Sequence, residues 1–184
     1  MAKPEKRPVP LPPYSPASDV SALKPGHQRV HLVPPPPVKI KSPRILVVDD
    51  HEGVRKQVCA VLRRETGFEV ISEATNGLEA VGHAAELQPD VIVLDITMPT
   101  LGGIEAAVRI HRVAPKAKIV FLSQHDSEKI AQAALATGAL GYVTKVSVST
   151  DLIAAVKAAL EGKKFVSKFS GSDSRGRKFW IFFP

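Results

Sequence analysis

The sequence predicts an α/β protein built on a doubly wound, five-stranded parallel sheet. Between residues 44 and 162, short aliphatic runs alternate with amphipathic stretches five times. The runs are apolar throughout rather than at every second residue, as in strands buried on both faces of a sheet. Each run is separated from the next by enough chain for a helix, which parallel pairing requires. Right-handed crossovers then place helices on both sides of the sheet.

Arg44 to Asp49 reads as the first strand. The following stretch, EGVRKQVCAVLRRE, places Val54, Val58, Val61 and Leu62 at helical spacing. FEVISEA is a second strand, and Asn76-Gly77 opens a helix with Leu78, Val81 and Ala85 expected inward. VIVLD is the third strand; GGIEAAVRIHRVAP is a helix stopped by Pro115. KIVFLS is the fourth strand, and DSEKIAQAALATG is a weakly apolar, Ala-rich helix closed by Gly138. LGYVTK is the fifth strand. The last helix, STDLIAAVKAALEG, has Ser149 or Thr150 as its cap and Gly162 as its stop.

The flanks differ from this core. Residues 1–43 hold twelve of the sixteen prolines, a composition that forms neither helix nor sheet and predicts an extended, disordered arm. Net charge is +6 over residues 1–44, −4 over 45–162 and +5 over 163–184. The basic balance, which would otherwise suggest nucleic acid or a membrane surface, therefore belongs to the ends. From such ends we expect no specific DNA binding, only weak and salt-dependent contacts. Residues 163–184 read as a flexible basic and aromatic tail, with four of the ten aromatics in the last six positions. The single cysteine, Cys59, excludes an intramolecular disulfide and falls on the apolar side of its helix. No stretch reaches the roughly 18 apolar residues of a membrane span, and the N-terminus lacks the apolar segment of a secretory signal. A cytoplasmic location is expected.

Asp95 poses the central question of the sequence, because a buried aliphatic strand has no structural need to end on a carboxylate. Either Asp95 is a cap or turn former, or the strand exists to hold it. In a sheet of this class, ligands gather outside the carboxyl ends of the strands. Asp49 and Asp50, Asp95, Ser123 and Lys145 all fall at such ends. Three converging carboxylates repel unless a cation sits among them, and oxygen ligands with room for water suit Mg2+. Lys145 can neutralise part of the charge or hold an incoming anion.

The blocks ILVVDDH, VIVLDITMP, FLSQHDS and GYVTK, in this order and spacing, closely resemble the receiver domain of bacterial two-component response regulators, with its flavodoxin-like fold. The resemblance covers roughly residues 44–162. Its details, including His51 after the acid pair and AALEGKKFVS near the end, are most similar to the subfamily usually fused to a LuxR-type helix-turn-helix. It implies that Asp95 is the phosphoacceptor, taking a phosphoryl group from a sensor histidine kinase or phosphotransfer protein. It also implies that Asp49, Asp50, Asp95 and the backbone carbonyl of Thr97 hold Mg2+, and that Lys145 contacts the phosphoryl group. Ser123 and Tyr142 are implied as the switch pair, Tyr142 changing rotamer as Ser123 moves. Output would pass through protein contacts, with a homodimer or partner face on residues 127–161. The family tunes dephosphorylation at the positions of Thr97 and His125, and Gln124 stands where small residues are common.

Two rival readings are distinguishable. A small phosphohydrolase of the haloacid dehalogenase type also uses a strand-end Asp with Mg2+. It needs a second Asp two residues on, however, where this chain has Thr97. A truncated DNA-binding regulator is the other, since the 22 residues after 162 are too few for four short helices.

Overall fold

The structure, a computed structural model, describes residues 42–169. Most of the predicted arm, and the tail from residue 170 on, lie outside the described residues. In chain order the elements are β1 (Arg44–Val48), α1 (Glu52–Arg64), β2 (Glu69–Ala74), α2 (Gly77–Leu87), β3 (Val91–Asp95) and α3 (Gly103–Val113). There follow β4 (Lys118–Ser123), α4 (Glu128–Ala136), β5 (Gly141–Thr144), α5 (Val148–Leu160) and β6 (Phe165–Val166). The strands form one sheet in the order β2-β1-β3-β4-β5-β6, every pair parallel.

Alternation along the strands divides the core in two. Leu46, Val48, Ile92, Leu94, Ile119, Phe121 and Tyr142 face the side covered by α2, α3 and α4. Ile45, Val47, Val91, Val93, Val120, Leu122 and Val143 face the side covered by α1 and α5. Both sets are buried, which is why the strands are continuously apolar. Each large side chain here contributes about 1.5–3 kcal/mol through burial.

Cys59 is buried in α1, and burial pushes its thiol up to about 11, so it is a packing residue rather than a reactive one.

The five expected strands form the core of the sheet, and a short sixth, β6, extends it along the edge of β5, Phe165 N–H donating to Leu140 O at 2.8 Å and Ser167 N–H to Tyr142 O at 2.9 Å. Three sequence expectations are corrected. The ordered fold thus continues past residue 162, into what read as flexible tail. In α2 the buried residues are Gly77, Ala80 and Ala84, whereas Leu78 and Ala85 are exposed and Val81 is half-buried. Gly77 lies against the backbone of Leu101, and that close approach turns the small-residue face inward. Finally, α5 is entered from a 3-10 turn, Lys145–Ser147, so its first residue is Val148 and Ser147 stands at the cap. Thr150 Oγ1 donates back to Ser147 O at 3.1 Å and Ser149 is exposed, so neither caps the helix.

Thr100, in the loop between β3 and α3, has φ 68°, a left-handed conformation that is strained for a β-branched residue. Thr100→Gly should therefore raise stability by about 1 kcal/mol, read as a higher urea midpoint. An unchanged or lower midpoint would contradict the strain.

Candidate functional site

The strand register assembles the site. Val48 pairs with Leu94, so the next residues along, Asp49 and Asp95, stand side by side at the carboxyl edge. β1 and β3 are also the two central strands from which the chain winds in opposite directions, the position at which such sheets bind ligands. Ser123 pairs with Thr144, which brings Ser123 and the following Lys145 to the same edge.

Asp49 and Asp95 are buried and Asp50 is exposed. One carboxylate oxygen from each falls within 4.8 Å of the others. Lys145 Nζ spans the buried pair, 2.7 Å from Asp95 Oδ2 and 2.8 Å from Asp49 Oδ2. Its hydrogen bond goes to Asp95. Asp49 Oδ2 has the charge close by but no aligned donor, an orphaned buried acceptor facing two other carboxylates. Such a donor set fits a hard divalent cation. The remaining oxygens are held by backbone: His51 N–H donates to Asp49 Oδ1 at 2.9 Å and Thr97 N–H to Asp95 Oδ1 at 3.3 Å.

Burial raises the pKa of Asp95, against the opposing pull of Lys145. Burial also works against the charge of Lys145, but its close pairing with the Asp49 and Asp95 carboxylates outweighs that and holds its pKa above the ordinary lysine value. A group raised on folding stabilises below its unfolded pKa, and that stability is lost as pH rises through the folded pKa. For Lys145 the loss lies above about pH 10.4. The urea midpoint should accordingly fall as pH rises above about 10.4, and Lys145→Gln should flatten that fall.

The two residues expected to form the switch pair meet at one residue, His125. His125 N–H donates to Ser123 Oγ at 3.0 Å, and Tyr142 Oη donates to His125 O at 2.7 Å. Tyr142 is wholly buried. Of four histidines in the domain, His51 and His125 are exposed, whereas His83 and His111 are half-buried. His83 Nδ1 lies 3.1 Å from Ser72 Oγ, and His111 Nε2 is buried without a partner.

Sequence reasoning missed two supporting residues. Arg55, on α1, donates to the carbonyl of Asp49 at 2.9 Å and pairs with Glu73 at 3.2 Å, fixing the loop after β1. Its place in the first turn of α1 carried no distinguishing signal. Gly103 begins α3 directly against the backbone of Asp95, and the Gly102-Gly103 pair was the available clue.

A doubly wound sheet with an acid triad and a lysine at its switch point defines a receiver, and the comparisons agree. Residues 45–157 match the response regulator receiver domain, and the chain belongs to that family. It is 39% identical over 129 residues to the transcriptional regulatory protein LiaR of Bacillus subtilis, covering 70% of this chain and 61% of that one. A LuxR-family response regulator from an Aurantimonas species superposes with TM-score 0.65 at 37% identity, over 67% of this chain and 89% of the other. CheY of Borrelia burgdorferi, solved as a CheX-CheY-BeF3-Mg complex, superposes with TM-score 0.59 at 28% identity, over 62% and 87%. The chain thus spans less than two thirds of the length of its curated relative LiaR. Nothing in the fold or in these relatives supports the haloacid dehalogenase reading.

Proposed function

We propose that this receiver is switched by phosphorylation of Asp95 and signals through protein contacts in a two-component phosphorelay. The carrying observation is the buried Asp95 carboxylate held between Lys145 and the Asp49–Asp50 pair. Asp95 is the nucleophile: an oxygen of its carboxylate attacks the phosphorus of a phosphohistidine and displaces the imidazole. Asp49, Asp50, Asp95 and the Thr97 carbonyl would hold Mg2+, which supplies neutralisation of charge on the transferring phosphoryl oxygens. Lys145 moves from carboxylate to phosphoryl oxygen, and the Ser123 hydroxyl donates to the phosphoryl group. The CheY relative solved with BeF3 and Mg supports this reading.

The donor is a sensor histidine kinase or a phosphotransfer protein, and the protein works in the cytoplasm. Among the described residues, no helix is long and apolar enough to cross a membrane. Beyond its own phosphorylation and dephosphorylation it carries out no catalysis. Output uses the face of α4, β5 and α5, as a homodimer or partner surface. α4 buries only Ala131 and Ala134 among its own residues, so it is the loosest of the five helices and the one best able to shift.

Incubation with acetyl phosphate and Mg2+ tests the reading: slow, stoichiometric labelling supports it, and sustained phosphate release or no labelling refutes it. In the same assay Asp50→Ala should weaken Mg2+ binding by tenfold or more, about 1.4 kcal/mol, without moving the label.

A further inference from the structure

The chain after α5 returns to the switch. β6 adds to β5 beside Tyr142, and Ser167 N–H donates to the Tyr142 carbonyl at 2.9 Å. Ser167 is buried, and its hydroxyl donates to Asp151 Oδ2 of α5 at 2.7 Å. Two residues further on, the Phe169 ring packs on Tyr142, centroids 6.1 Å apart and tilted by 55°, a favourable aromatic geometry. The backbone, the Ser167 side chain and Phe169 thus all fix one five-residue segment over one tyrosine.

We propose that residues 165–169 are a positioning element for the phosphoryl site, acting through Tyr142 on Ser123. Phe169 holds the Tyr142 ring inward, where its hydroxyl donates to the His125 carbonyl. That bond anchors the His125 backbone on its carbonyl side, and the N–H of the same residue, in the preceding peptide, donates to Ser123 Oγ. Ser123 Oγ accepts from His125 and lies against the Tyr142 hydroxyl, which leaves its own proton to the Tyr142 oxygen or to an acceptor at Asp95. The segment therefore prepares the hydroxyl for a phosphoryl oxygen before one arrives. Coupling is reciprocal: a phosphoryl group on Asp95 tightens the segment over Tyr142, and whatever the chain carries beyond Phe169 senses the state of Asp95. This inference rests on Asp95 as the phosphoacceptor.

The test uses the full chain, with beryllofluoride as the phosphoryl mimic and 3-fluorotyrosine as the reporter; the sequence has only two tyrosines, Tyr14 and Tyr142. Phe169→Ala should weaken Mg2+-dependent beryllofluoride binding by about fivefold, leave affinity for Mg2+ alone unchanged, and shift the Tyr142 fluorine resonance. Phe169→Tyr, which keeps an aromatic ring, should restore both. Tyr142→Phe keeps the ring but removes the hydroxyl, and should weaken beryllofluoride binding to a similar extent. The double variant Phe169→Ala/Tyr142→Phe should then lose little more than either single one. Beryllofluoride affinity unaltered by Phe169→Ala, or losses that multiply in the double variant, would overturn the proposal. A Tyr142 resonance insensitive to Phe169→Ala would overturn the contact itself. Failure of the parent chain to bind beryllofluoride would overturn the phosphoacceptor reading, and this coupling with it.

Discussion

Asp95→Asn should abolish labelling by acetyl phosphate and at the same time raise the stability of the domain. The first effect follows from chemistry: an amide oxygen is a poor nucleophile and cannot form the acyl phosphate. The second follows from electrostatics. Burial raises the Asp95 pKa, so the ionised carboxylate is disfavoured by folding at neutral pH. For a group raised in this way, its contribution to stability is present below the unfolded pKa and lost as pH rises through the folded one. Once pH exceeds the folded pKa that contribution is gone, and the cost of a desolvated charge beside Asp49 remains. Replacing it with the neutral amide removes that cost, while Lys145 keeps Asp49 as its partner at 2.8 Å. A gain on the order of 1 kcal/mol is expected, a few degrees in melting temperature for a domain of this size. Labelling that survived in Asp95→Asn would refute the phosphoacceptor. A melting temperature that fell would show that the Lys145–Asp95 bond outweighs the burial cost. A functional carboxylate that costs stability is the expected signature of a site built for a ligand it does not always hold.

The fold was legible because parallel strands buried on both faces must be apolar along their interiors, and residues 45–48 of β1, 91–94 of β3 and 119–122 of β4 are. The site was legible for the opposite reason. Asp49, Asp95 and Lys145 interrupt apolar runs at points where nothing in the sheet requires charge. What escaped the sequence depended on close approach, which hydrophobic patterning does not encode. Leu78 is the more apolar choice for the inner face of α2, yet the helix buries Gly77, Ala80 and Ala84, because only a small face fits against the Leu101 backbone. β6 is two residues long within a lysine-rich run and carries no period. Its formation is decided by the free edge of β5 and by Tyr142, both of them tertiary features. The cap of α5 was misplaced for a related reason. A 3-10 turn from Lys145, which reaches back toward Asp49 and Asp95, sets where the helix begins.

Close approach also decides the second large effect, at Gly103. This residue opens α3, is buried, and donates its N–H to Ile96 O at 2.9 Å. A Cβ added there would overlap the carbonyl of Asp95 and press on the Cα of Ile96. Its backbone is not left-handed, so the glycine is needed for space rather than for conformation. Overpacking a core typically costs 1–3 kcal/mol. Here the obstacle is backbone that cannot rotate aside, so Gly103→Ala should cost about 3 kcal/mol, at the top of that range. Because the displaced carbonyl belongs to the proposed nucleophile itself, labelling of Asp95 should slow as well, beyond what the unfolded fraction explains. Gly82 provides the control. It is exposed in the middle of α2 and a Cβ there meets nothing within 4 Å. Gly82→Ala should therefore gain up to about 1 kcal/mol from helix propensity alone, with labelling unchanged. Denaturant midpoints and labelling rates of the two variants would decide the matter. Equal effects of the two alanines, or a Gly103→Ala protein that labels at the parent rate, would mean that α3 has room to retreat without moving Asp95.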